Sequence, residues 1–124
     1  MPFHRHGAAL LFAAFHVAAC AAPEPKAQAE IAHLLDHVAT PGCQFNRNGS
    51  WHEGAEAKSH LQKKYDYLVK RDLVTNAESF IAGAATESSM SGKPYLVKCG
   101  GGKVVASAVY MKEELARFRA RTGK

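Results

Sequence analysis

The chain has 124 residues, with 16 Lys and Arg against 11 Asp and Glu and a formal net charge of +5. That length holds one domain with a single modest core. The charge excess is mild, and no zinc-finger spacing or aromatic RNA-binding motif accompanies it, so no nucleic-acid partner is expected.

The chain begins MPFHRHGAALLFAAFHVAACAAPEP, with Arg5 as the one firm positive charge before an apolar run from Gly7 to Ala19. Basic, then apolar, then small residues is the secretory order. The run falls short of the roughly 20 residues that a bilayer-spanning helix needs, so residues 1–20 are expected to be a signal peptide. His16 is a polar interruption in it. Val17-Ala18-Ala19-Cys20 resembles the bacterial lipobox, in which Cys20 is lipidated and becomes the N-terminus. Ala19-Cys20-Ala21 also fits the small-x-small rule of an ordinary signal peptidase. Both routes lead to export: to the periplasm, or to the periplasmic face of a membrane with Cys20 as the tether.

There are three cysteines, Cys20, Cys43 and Cys99. If Cys20 carries lipid, an even pair remains, and in an oxidising compartment Cys43 and Cys99 are expected to bond. Such a long closed loop is worth about 4 kcal/mol in the chain-entropy model.

Residues 21–29 read as a linker and 30–124 as one globular domain. Ile31, Leu34, Leu35 and Val38 recur at helical spacing and predict a helix over Glu30–Ala39, ended by Thr40-Pro41-Gly42. Cys43–Arg47 alternates in polarity and precedes Asn48-Gly49, a strong tight-turn signal. Its partner strand is expected at Tyr95–Cys99. Glu53–Lys70 is the longest helical stretch, with Ala57, Leu61, Tyr65 and Leu68 as its apolar stripe. Thr75 and Glu78 are spaced as a capping box, before a short buried face of Ala77, Phe80, Ile81 and Ala84. Thr86–Gly92 is loop-like. Ala106–Arg121 closes the chain as a helix with Ala108, Met111, Leu115 and Phe118 inward. Its basic end, Arg117, Arg119, Arg121 and Lys124, reads as a solvated tail. The expected fold is α+β, mainly α: about four helices with a short two-stranded antiparallel element.

Three segments carry a family resemblance: Cys43–Gly49 (CQFNRNG); Glu56–Leu61 (EAKSHL) with Lys64-Tyr65; and Ser88–Val97 (SSMSGKPYLV). TNAESFI at Thr75–Ile81 lies between the last two. In this order they resemble the YfeK-like family of small exported bacterial proteins, a domain-of-unknown-function family, over roughly Glu30 to Cys99. The resemblance implies a bacterial envelope protein and brings no catalytic residue with it.

Several constellations bear on chemistry. In Ser88–Tyr95, a penicillin-binding type S-x-x-K ending at Lys93 would need serine where Met90 stands. A phosphate-binding Walker loop fails because Pro94 follows Lys93. Hydroxyls, glycine amides and Lys93 remain as a means of holding an anion, against the plainer reading of a loop bonded to its own backbone. Arg47 beside a helix carrying Glu56 and His60 would line a polar pocket with Ser91 and Lys93, or would simply pair with Glu56. His52, Glu56 and His60 share a helix face if the helix begins by His52, and His33 and His37 share another, but a zinc site needs three or four ligands and no HExxH is present. No metal site and no cofactor are expected.

These residues point to a binding or interaction module that recognises an envelope component through Arg47, Asn48, Trp51, His60, Ser91 and Lys93. The alternative is a small periplasmic hydrolase using Ser89 or Ser91 with His60 or Lys93. A purely structural envelope protein is the third reading.

Overall fold

Helix α1 (Pro25–Val38) opens five residues before the expected Glu30, taking over much of what reads as linker. Pro25 sits in the first turn, where its missing N–H has no helical partner to lose and its fixed φ suits the helix. Ala27 is buried, which ties this extra turn to the core. The computed structural model describes residues 22–123. The expected signal peptide, the lipobox and Cys20 lie outside the described residues.

After α1 come β1 (Cys43–Arg47), β2 (Ser50–Glu53), α2 (Gly54–Lys70), α3 (Ala77–Ala84), β3 (Leu96–Cys99), β4 (Val105–Ala106) and α4 (Ser107–Thr122). The α+β, mainly α expectation holds. The two-stranded element is in fact an antiparallel four-stranded sheet ordered β2-β1-β3-β4. β1 and β3 pair as expected. The strands missed are the edges: β2 is a polar run that leads into a helix, and β4 is two residues long.

Asn48 and Gly49 both have positive φ, 54° and 89°, as a two-residue type I′ hairpin requires. They set the register Asn46↔Trp51 and Arg47↔Ser50. Cys43 and Cys99 face each other across β1 and β3 and are joined by a disulfide. Phe45 and Val97 point to the helical side of the sheet and are buried.

The core gathers Ile31, Leu34, Leu35 and Val38 of α1, Phe80, Ile81 and Ala84 of α3, and Met111 and Leu115 of α4. Helix α2 is more peripheral. Of its expected stripe only Leu61 is fully buried, while Ala57, Tyr65 and Leu68 are partly exposed. It is locked at its start, where a Cβ on Gly54 would run into the Val38 carbonyl oxygen. At its end, the Leu73 amide bonds the Leu68 carbonyl and the Asp72 amide bonds the Val69 carbonyl. This is a Schellman closure with Asp72, not glycine, at the left-handed position (φ 56°).

Two expectations at helix ends are corrected. The capping box of α3 is Asn76 with Ser79, not Thr75 with Glu78. Glu78 is instead drawn to Arg119. The basic tail is not simply solvated either. Arg119 forms two-pronged hydrogen bonds with both Glu30 and Glu78. Glu114, on the face of α4 turned toward α1, takes Arg117 at 2.9 Å, Arg121 at 3.5 Å, and His33 and His37. Glu30 and Glu114 are buried, 4% and 5% exposed, so each needs these partners to remain charged. Burial would raise the Glu114 carboxyl. Hydrogen bonds from His33 and Arg117, with the charges of His37 and Arg117, outweigh it and hold the group at about 2.

Candidate functional site

A cleft of about 470 Å³ opens where the β1–β2 hairpin, α2, α3 and the Ser88–Tyr95 loop meet. Arg47 and Asn48 come from the hairpin, and His60, Lys63, Lys64, Tyr67 and Leu68 from α2. Gly83 comes from α3, and Ser88, Ser89, Met90 and Tyr95 from the loop. The spacing on α2 is helical. His60, Lys64 and Leu68 stand four residues apart and so share one face.

Hydrogen-bond direction can be worked out at its centre. Arg47 Nη1 lies 3.3 Å from His60 Nδ1, and His60 Nε2 lies 3.2 Å from Tyr95 Oη. A guanidinium only donates, so His60 Nδ1 must accept. The neutral imidazole then carries its proton on Nε2 and donates it to Tyr95 Oη. Lys64 Nζ donates to the same oxygen at 3.0 Å and to the Glu87 carbonyl at 3.0 Å. Tyr95 Oη thus accepts twice, and its own hydroxyl hydrogen is left to be donated. Tyr95 is only 5% exposed.

The charge of the cleft matches this surplus of donors. Arg47, Lys63 and Lys64 line it, and no carboxylate is among its lining residues. The expected Arg47–Glu56 pair is not formed, because Glu56 bonds His52 at 3.0 Å. Burial pushes the His60 pKa below the ordinary histidine value, and the charges of Arg47 and Lys64 push it further. Lys64 is lowered by burial, partly opposed by Glu87, and burial raises Tyr95.

The Ser88–Tyr95 loop frames the cleft. Ser88 Oγ accepts from the amides of Met90 and Ser91 and from Asn48 Nδ2. Ser91 Oγ donates to Asn48 Oδ1 at 2.5 Å and accepts from the Lys93 amide. The Ser88 and Ser91 hydroxyls are therefore engaged with backbone and with Asn48, and they pin the loop to the hairpin.

Of the six residues singled out from the sequence, Arg47 and His60 meet at the centre of the cleft, and Asn48 and Ser91 meet at its rim. Trp51 lies elsewhere, in register with Asn46 on the opposite face of the sheet from Phe45, with Lys98 Nζ 4.8 Å from its ring centre. Lys93 is exposed and does not line the cleft. Sequence reasoning missed Lys64 and Tyr95 as site residues. The four-residue spacing from His60 to Lys64 was a usable signal, whereas the placement of Tyr95 depends on the β1–β3 register. His33 and His37 are engaged at Glu114, His52 at Glu56 and His60 at Arg47 and Tyr95.

This small disulfide-bonded α+β domain belongs to a defined family: residues 25–119 match the family of unknown function DUF5329. Among individual proteins, it is 46% identical over 51 residues to the uncharacterized protein YfeK of Salmonella typhimurium. That match covers 41% of this chain and 41% of the length of YfeK. No solved structure matches.

Proposed function

We propose that this protein is an exported binding module whose cleft receives an anionic group, a phosphate or carboxylate, of an envelope component. One observation carries the reading. Arg47, a half-buried arginine, faces an imidazole nitrogen instead of a carboxylate, in a cleft that also holds Lys63 and Lys64 and no acid. A buried or half-buried guanidinium ordinarily has a carboxylate or phosphate to bind in its planar fork. Here that partner is the ligand. The unspent Tyr95 hydroxyl adds a neutral donor at the same place.

The geometry favours binding over serine hydrolysis. Both nitrogens of His60 are taken by Arg47 and Tyr95, and Ser91 Oγ is held by Asn48 and the Lys93 amide. Neither serine of the hydrolase reading is therefore paired with an imidazole base.

Calorimetric titration with inorganic phosphate and acetate tests the reading. Arg47→Ala and Lys64→Ala should each weaken binding at least tenfold. Unchanged affinity in both variants would refute it. The export arm rests on the Arg5–Cys20 pattern, and a disulfide is in keeping with an oxidising compartment. Intact mass of the protein from bacterial envelopes should show cleavage before Cys20 with added lipid, or cleavage without it. A full-length cytoplasmic product would count against export.

A further inference from the structure

We propose that the ligand is an anionic amphiphile, with a single phosphate or carboxylate head at Arg47 and Lys64 and an apolar chain lying along Tyr67, Leu68 and Gly83. This rests on the anion reading above and adds the nature of the rest of the molecule.

The cleft has two unlike ends. At one end are Arg47, His60, Lys64 and the Tyr95 hydroxyl. About one helical turn further along α2, some 6 Å, its lining changes to Tyr67 and Leu68, with Met90 across from the loop. Tyr67 is 49% exposed and Met90 94% exposed, large apolar surfaces left in water beside a charged pocket. The Arg71 guanidinium stacks 3.8 Å from the Tyr67 ring centre and holds that ring as part of the wall.

Between them, α3 offers Gly83. A Cβ there would meet Leu68 Cδ1 at 3.0 Å, so the missing side chain lets Leu68 pack close against α3 and form the floor of the cleft. An uncharged chain would leave Arg47 without an anionic partner, and a molecule charged at one end and apolar along the rest suits both the Arg47 end and the Leu68 and Met90 end of the cleft. The volume falls within the range of small-molecule sites, roughly 300–1,000 Å³.

The test is a chain-length series by calorimetry on the purified, oxidised protein, below the aggregation limit of each probe. The probes are inorganic phosphate, butyl phosphate, octyl phosphate, octanoate and octyl glucoside. Affinity should rise roughly two- to fourfold per buried methylene, so octyl phosphate should bind at least tenfold tighter than inorganic phosphate. Tyr67→Ser, a change at an exposed position, should remove most of that gain. It should leave affinity for inorganic phosphate within twofold. Arg47→Ala should weaken every anionic probe. Whichever of octyl phosphate and octanoate binds better identifies the head, and a gain over the bare anion with either supports the proposal. Binding of inorganic phosphate with no gain from the chain would overturn the amphiphile and leave the anion site standing. Octyl glucoside binding as tightly as octyl phosphate would overturn both.

Discussion

Two regions of this molecule handle charge in opposite ways. Where α1, α3 and α4 meet, acids and bases are closed on one another: Arg119 on Glu30 and Glu78, and Glu114 on His33, His37, Arg117 and Arg121. In the cleft by α2, Arg47 and Lys63 form no ion pair with a carboxylate among the described residues, and Lys64 donates to a carbonyl and a phenol oxygen with the Glu87 charge nearby. Both regions are rich in cations. What separates them is whether the chain supplies the counter-charge. Where it does, the charges tie α1, α3 and α4 together; where it does not, the cations are left for the anion of the proposed reading.

The largest expected effect falls on the closed region. Arg119→Ala strips the partner from buried Glu30 and should cost about 3 kcal/mol in urea denaturation. Arg47→Ala, an equal loss of charge in the open region, should change stability by less than about 0.5 kcal/mol. Equal costs at the two sites would erase the contrast.

Acid provides the next test. In the unfolded chain Glu114 takes up a proton near 4.5, the ordinary glutamate value, but in the folded protein only at about 2. A depressed carboxylate stabilises above its unfolded value, and that contribution drains away as pH falls from about 5 towards 2. The loss should be on the order of 2–3 kcal/mol, and Glu114→Gln should flatten that stretch of the stability profile. His37 and His60, both pushed below the ordinary histidine value chiefly by burial, act with the same sign at higher pH. The unfolded chain binds their protons first, so stability should already slip as pH drops through the histidine range.

A smaller effect concerns the end of α2. Asp72→Gly relieves a left-handed residue in the Schellman closure and should add about 1 kcal/mol while anion affinity stays unchanged. That would separate the stability of α2 from the charges it presents. The finest test reads His60 by NMR titration. Arg47→Ala should raise its pKa only partway towards the ordinary value, since burial, the larger cause, remains.

Much of the fold was legible because apolar spacing carries helices. Ile31, Leu34, Leu35 and Val38 mark α1, and Asn48-Gly49 marks the hairpin by chemistry that few other residues satisfy. The start of α1 was hidden because Pro25 and its alanine-rich neighbours look the same in a linker and in a first turn. Strand β2 was hidden because its residues alternate no apolar face. At the site, Arg47 and His60 could be suspected from their types. Whether Arg47 meets Glu56 or stays unpaired depends on side-chain direction, which periodicity does not encode. The roles of Arg119 and Glu114 were illegible for the same reason. A run of arginines at a helix end looks solvated until buried Glu30 on the facing helix and buried Glu114 on their own helix are known.

Strand β1 has Cys43 at one end and Arg47 at the other. Asn46 pairs with Leu96, the residue after Tyr95, so the guanidinium stands at the end of β1 and the phenol just ahead of β3, its cross-linked neighbour. With α2 fixed at Gly54 and the loop tied to Asn48, the donors of the cleft have lost their freedom during folding and not during association. A guest then gives up mainly its own motion, the condition under which a few polar contacts in a small open site can yield measurable affinity.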